Sequence, residues 1–163
     1  LVFYLPKFSY IKSRITAFFD ASSKSNYQSQ KATDAIIDGG FFGKGIGEGT
    51  LNTRVPEAHT DYVISVISEE FGALFILLIL LIYLFILFRV FKKIPFEKNN
   101  SNKLVLIGSI LLIIFQVLIH IGVNISLLPT TGMTLPFLSY GGSSILSSSI
   151  LAGLILNFTK RKL

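Results

Sequence analysis

The sequence predicts an all-α fold: a polytopic helical membrane protein fragment with three transmembrane helices and a large extracytoplasmic loop. Three observations carry that expectation. Of the 163 residues 51% are hydrophobic and only 15% charged, against about 25% charged in soluble domains. The apolar residues are gathered into charge-free stretches of 18 residues over Phe71–Phe88, 25 over Leu104–Leu128 and 23 over Phe137–Thr159. Each is close to the roughly 20 residues that cross a bilayer at about 1.5 Å per residue. Finally, all eight Lys/Arg after Asp61 fall in two places, five between Arg89 and Lys103 and three in the tail.

That asymmetry sets an orientation. Cytoplasmic loops carry the Lys/Arg excess, so the first helix is expected to run out to in, the second in to out and the third out to in. The formal charge of +6 then reports topology rather than a nucleic-acid partner. The lack of cysteine excludes a disulfide scaffold and a thiolate metal site.

Taken in order, residues 1–6 read as the end of a preceding membrane helix, stopped at Pro6. The N-terminus has neither a basic n-region nor a cleavage site, so no signal peptide is expected there. It also lacks an initiating Met, and the chain is expected to be a piece of something longer. Residues 7–61 form the extracytoplasmic loop, nearly neutral with seven Lys/Arg and six Asp/Glu. Within it Asn26–Asp38 is expected to be an amphipathic helix with Tyr27, Ala32, Ala35, Ile36 and Ile37 on its apolar face, stopped by Gly39-Gly40. The glycines at 39, 40, 43, 45, 47 and 49 make a tightly turning run, ended by Pro56. Then follow a transmembrane helix over 62–90, a cytoplasmic loop over 91–103, a helix over 104–128, an extracytoplasmic loop over 129–138, a helix over 139–159 and a cytoplasmic tail at 160–163. Five serines between 143 and 149 dilute the last helix; small residues suit close helix packing.

Several residue patterns invite a chemical reading. The glycine run fails as a phosphate loop, because Gly43-Lys44 is followed by Gly45 rather than Ser or Thr and no strand precedes it. Glu57, His59 and Asp61 alternate like metal ligands on a strand, yet a helix is due at about Asp61, which has a simpler role as its N-cap. Ser65, Ser68 and Gly72 fall at helical spacing from Asp61 and carry small, polar groups into the membrane. Gln116, His120 and Asn124 form one stripe at i, i+4 and i+8. Polar groups at such depth are costly and face a bundle interior or a water-filled cavity, either as inter-helix hydrogen bonds or as a functional surface. Glu69 and Glu70 have no basic neighbour at that depth, which points to a partner elsewhere in a longer protein. The stretch Leu135–Ser144 lacks the repeated loops and pore helix of a channel filter.

The runs Val55-Pro-Glu-Ala-His-Thr-Asp61, Glu69-Glu70 with Gly72, and Leu128-Pro-Thr-Thr-Gly-Met-Thr-Leu-Pro-Phe-Leu-Ser-Tyr-Gly-Gly-Ser-Ser144 resemble the SEDS family (shape, elongation, division and sporulation). Arg14-Ile-Thr-Ala-Phe18, Tyr27-Gln28 and Gly39-Gly-Phe-Phe-Gly-Lys-Gly45 match it as well, so the resemblance covers essentially the whole chain. Ala58 before His59, and Thr134 where rod-elongation members tend to carry Pro, make it more similar to the cell-division members. Ala21 after Asp20, Val55 before Pro56 and Asn26 before Tyr27 depart from the family pattern.

The resemblance implies the C-terminal portion of a ten-helix peptidoglycan glycosyltransferase, which polymerises lipid II with a class B penicillin-binding protein and other division proteins in the cytoplasmic membrane. The portion alone is expected to be inactive. The resemblance makes Asp61 the catalytic acid/base position, with Glu57, His59, Lys44, Arg54, Ser139 and Tyr140 as candidates for substrate binding. Glu69, Glu70, His120, Asn124, Gly141 and Gly142 would be structural or line the cavity. No cofactor is implied, although a divalent cation could share with Lys44, Arg54 and His59 the charge of a pyrophosphate. The alternatives are a lipid II flippase and a non-catalytic division scaffold.

Overall fold

The computed structural model describes Thr16 and residues 24–159. The expected helix end at 1–6, the tail at 160–163, Asp20-Ala21 and all of Arg14–Phe18 except Thr16 lie outside the described residues. Among those described there are helices and turns and no strand: α1 (Lys24–Gly39), α2 (Leu51–Arg54), α3 (Val63–Phe71), α4 (Ala73–Lys93) with a 3-10 turn over Ile94–Phe96, α5 (Asn100–Asn124) and α6 (Gly142–Thr159). Three segments are long and apolar enough to cross a membrane, Ala73–Phe96, Asn100–Asn124 and Gly142–Thr159. This is the polytopic helical architecture expected of the three apolar stretches. The 3-10 turn carries Pro95, and α5 restarts behind Asn99, whose side chain accepts the Ser101 amide at 2.9 Å. Val90, Leu106, Ile110, Ile113 and Ile155 form the core that joins the three spans.

The helix expected over 62–90 is in fact two, α3 and α4, broken at Gly72 with φ +83°. A break exposes carbonyls on one side and amides on the other, and here the glycine run supplies both sets of partners. The amides of Lys44 and Gly45 donate to the Glu69 and Glu70 carbonyls at 2.8 and 3.1 Å, while the Gly40 and Phe41 carbonyls accept from Ala73 and Leu74 at 2.9 and 3.4 Å. Such close backbone approach needs glycine: a Cβ on Gly43 would sit 2.2 Å from the Glu70 carbonyl oxygen, and one on Gly72 2.3 Å from that of Phe41. The tight-turning run is thus a splice that fills the helix break.

α1 forms where expected, but its buried face differs. Ser29, Ala32, Ala35 and Gly39 face inward, whereas Tyr27 and Ile37 are 52% and 70% exposed. The seam is built for closeness rather than bulk, since a Cβ on Gly39 would meet the Ser68 carbonyl oxygen at 2.0 Å. α1 therefore packs on α3, with Leu51, Val55, Ala58, Tyr62, Val66 and Val123 completing that core.

Residues 129–138, expected as an extracytoplasmic loop, are not wholly at the protein surface. Leu135 and Pro136 are fully buried. Leu135 packs with Ile64 and Val117 and against Ile76, Leu80, Tyr83 and Ile121, and Val117 lies about 10 Å down the α5 axis from Asn124. The segment dips back between the helices. Irregular backbone at such depth must find its partners within the protein. The Tyr83 hydroxyl donates to the Pro136 carbonyl, and the Leu135 amide donates to Ser139 Oγ at 2.8 Å. Phe137 adopts φ +64° within this turn, a left-handed conformation uncommon for a non-glycine residue.

Candidate active site

The segment Val55–Tyr62 follows the single turn of α2 and alternates between core and surface. Val55, Ala58 and Tyr62 are buried, while Pro56, Glu57 and His59 are exposed and Asp61 is half-buried. The burial pattern explains the residue types. A larger side chain than Ala58 would press into the core that Ala32, Leu51 and Val55 fill, and the Tyr62 hydroxyl finds that of Ser29 at 3.3 Å. The turn is closed locally, with the Thr60 and Asp61 amides both donating to the Glu57 carbonyl at 3.2 and 3.0 Å. α3 starts only at Val63 and its N-cap position is Tyr62, so Asp61 precedes the cap instead of filling it.

The remaining carbonyls of this turn are held from across the bundle. Three consecutive ones, those of His59, Thr60 and Asp61, accept from the Tyr140 amide at 3.1 Å, face His120 Nε2 at 3.4 Å and accept from Asn124 Nδ2 at 3.0 Å. The polar stripe on α5 thus has its partners in the Asp61 segment. Gln116, one turn deeper, is half-buried.

Glu69 is the second anchor. It is 1% exposed, and its carboxylate accepts from the Thr50 amide and hydroxyl at 3.0 and 3.1 Å, the Leu51 amide at 3.0 Å and Lys44 Nζ at 3.2 Å. Burial by itself raises its carboxyl pKa, but the Thr50 and Leu51 amides, with Lys44 and the Thr50 hydroxyl, outweigh burial and hold it below the usual carboxylate range. The basic partner expected elsewhere in a longer protein is therefore Lys44, within this chain. Lys44 also donates to Asp38 at 3.0 Å; that hydrogen bond, followed by the one to Glu69, raises its pKa against the opposing effect of desolvation.

The remaining candidates divide by position. Arg54 ends α2 and is exposed, as are Glu57 and His59. Tyr140 is 80% exposed and, through its amide, adjoins His59. Ser139 is buried and its hydroxyl serves the Leu135 turn, so it faces inward. Gly141 and Gly142 start α6, the Gly141 carbonyl accepting from the Ile145 amide at 3.0 Å. Glu70 is half-buried against Gly49. Among the described residues no three His, Asp or Glu side chains are grouped to hold a metal ion, so Glu57, His59 and Asp61 do not converge. Sequence reasoning missed Asp38, Thr50 and Tyr83 as partners. Nothing in their local spacing points to Lys44, Glu69 or Pro136.

The chain as a whole is similar to known proteins. The family model described as cell cycle protein, FtsW/RodA/SpoVE, matches residues 1–162. The chain belongs to that family. A probable peptidoglycan glycosyltransferase FtsW from Caulobacter vibrioides (strain NA1000 / CB15N) is 35% identical over 155 residues, covering 95% of this chain and 40% of the relative. One from Enterococcus hirae is 41% identical over 139 residues, covering 85% of this chain and 35% of the relative. The chain thus spans about two fifths of the length of the curated relatives it matches. A solved structure from work on the structural coordination of polymerization and crosslinking by a peptidoglycan synthase complex superposes with a TM-score of 0.72. It is 29% identical, and the match covers 93% of this chain and 42% of that one. In this chain the Asp61 turn meets the Tyr140 backbone, and the buried Leu135 packs with Ile64 of α3.

Proposed function

We propose that this chain carries the acid/base face of a peptidoglycan glycosyltransferase that polymerises lipid II during bacterial cell division. The observation that carries the reading is a carboxylate, Asp61, on a turn tied through three consecutive carbonyls, in a chain whose FtsW relatives bear that activity in their names. The acceptor sugar's 4-hydroxyl attacks C1 of the donor and its proton passes to Asp61. The O–C1 bond forms as the bond from C1 to the undecaprenyl pyrophosphate breaks, and the electron pair leaves with the pyrophosphate. That leaving group needs no protonation, so one base suffices where a glycosidase uses two carboxylates. Displacement in line inverts an α-linked donor to a β-linked product.

His59, exposed on the turn, and Arg54, exposed at the end of α2, are the groups that counter the pyrophosphate charge, and Glu57 and Tyr140 are exposed near His59. Lys44 contributes indirectly by holding Glu69. A divalent cation would act on the same pyrophosphate, and no proton or leaving-group step above requires one. The site faces the extracytoplasmic side of the cytoplasmic membrane, with a class B penicillin-binding protein and other division proteins as partners. The solved relative's origin in a synthase complex that couples polymerization to crosslinking supports that partnership. A flippase would need a polar path past Glu69 and His120, and their side chains are instead engaged in hydrogen bonds within the chain. In the full-length protein with its penicillin-binding partner, Asp61→Ala should abolish glycan polymerisation and leave complex assembly intact. Full activity in that variant would sink the proposal.

A further inference from the structure

The structure assigns to Asn124, with His120 one turn before it on α5, the role of positioning residue for Asp61. The assignment rests on the reading of Asp61 as the base and adds to it the means by which the base is aimed. Asn124 is completely buried, and its amide uses both ends. Oδ1 accepts the Ser65 amide at 3.0 Å and the Ser65 hydroxyl at 2.7 Å. Nδ2 donates to the Asp61 carbonyl at 3.0 Å and the His120 carbonyl at 2.8 Å, and lies 3.2 Å from His120 Nδ1. The orientation of the amide follows from chemistry. A backbone N–H can only donate, so the atom facing Ser65 is the oxygen and the NH2 is left for Asp61. Because the Thr60 carbonyl can only accept, His120 carries its proton on Nε2, 3.4 Å from it, and leaves Nδ1 unprotonated towards Asn124.

Ser65 is the third residue of α3, so its amide is one of the first-turn donors that have no partner within the helix. No side chain at the N-cap of α3 serves that turn. Asn124 therefore caps α3 from another helix with one end and holds the Asp61 carbonyl with the other. The Asp61 amide is already fixed on the Glu57 carbonyl, so the peptide units on both sides of Asp61 are fastened. Without Asn124 the Asp61 carbonyl loses a buried partner and the turn is free to shift. Misplacement of a catalytic group by about 1 Å costs on the order of a hundredfold in rate.

The experiment uses full-length protein reconstituted with its penicillin-binding partner and measures lipid II polymerisation by Asn124→Ala, Asn124→Asp, His120→Gln and Asp61→Asn. Asn124→Asp keeps the volume and both bonds from Ser65 but sets an oxygen against the Asp61 carbonyl. Positioning predicts that kcat falls at least about tenfold in both Asn124 variants, with KM for lipid II within about twofold and partner co-purification retained. His120→Gln should lower kcat by a smaller factor. A role confined to capping α3 would leave Asn124→Asp at wild-type kcat, and that result would overturn the assignment. Should Asn124→Ala fail to accumulate, the Asp and Gln variants decide. Activity in Asp61→Asn would instead remove the base itself, whereas an inactive Asp61→Asn beside fully active Asn124 variants would remove only the positioning role.

Discussion

A carboxylate that is 1% exposed would ordinarily take up a proton, yet Glu69 is held below the usual carboxylate range by two amides, a hydroxyl and an ammonium group. The sign of the pH dependence follows. Its folded pKa is depressed, so its contribution to stability is complete above the unfolded value near 4.5 and is lost as pH falls through the folded value. Thermal unfolding of the full-length protein in nanodiscs should therefore show an acid-side loss below about pH 4.5. Glu69→Gln should flatten that limb and cost about 1.5–2 kcal/mol at pH 7, the lower part of the range for charge-assisted bonds because Lys44 remains exposed to solvent. An unchanged acid limb in the variant would mean that other carboxylates dominate it. At this scale the sequence was legible in part. The i, i+4 spacing of His120 and Asn124 marks an internal face, but their partners are backbone carbonyls, which leave no trace in residue type. The Glu69–Lys44 pair joins positions 25 apart, far beyond any helical periodicity.

At the level of elements, the three spans could be read directly because bilayer thickness dictates their length. The break at Gly72 could not. One glycine inside an apolar helical pattern is equally compatible with a continuous helix, and what stabilises this break is a set of backbone partners from Gly40–Gly45, some 30 residues earlier. Two glycines separate the effects involved. Gly40 and Gly72 both have positive φ, +57° and +83°, but a Cβ on Gly40 meets nothing within 4 Å while one on Gly72 strikes the Phe41 carbonyl. Gly40→Ala should therefore cost only the conformational penalty of about 1–2 kcal/mol. Gly72→Ala should cost at least twice as much, because the splice must open. Limited proteolysis of the 40–49 run in both full-length variants measures the difference, with faster cleavage expected only for Gly72→Ala. Equal protection would show that the loop does not depend on the splice. The inward-dipping Leu135 segment escaped notice for a related reason: Pro129, Gly132 and Pro136 look like a surface turn, and the Tyr83 and Ser139 hydroxyls, with the Leu138 and Ser139 amides on the Leu135 carbonyl, supply partners for that buried backbone.

For the whole molecule, the segment carrying Asp61 and the connection between α5 and α6 meet at one end of the bundle through the Tyr140–His59 contact, and the same connection reaches α1 through Ser126 and Thr33. The basic turn between α4 and α5 lies at the opposite end. Length and charge bias alone lead to the same arrangement, since one membrane-length helix separates the Arg89–Lys103 linker from the Asp61 segment and one separates it from the connection between α5 and α6, and Lys/Arg concentrate on the cytoplasmic side. The geometry adds depth, which charge bias does not report. This chain has no cysteine, so single-cysteine variants can be read cleanly once any cysteines in the rest of the full-length protein are replaced. A membrane-impermeant maleimide applied to intact cells should label Glu57→Cys and Thr131→Cys, both at exposed positions, and should label Asn100→Cys only after permeabilisation. Leu135→Cys, although only four residues from Thr131, should resist labelling at least tenfold more, because its side chain is buried with Ile64 and Val117. Equal labelling at 131 and 135 would mean that the connection lies on the surface, and labelling of position 100 in intact cells would reverse the orientation on which the proposed extracytoplasmic placement of the site depends.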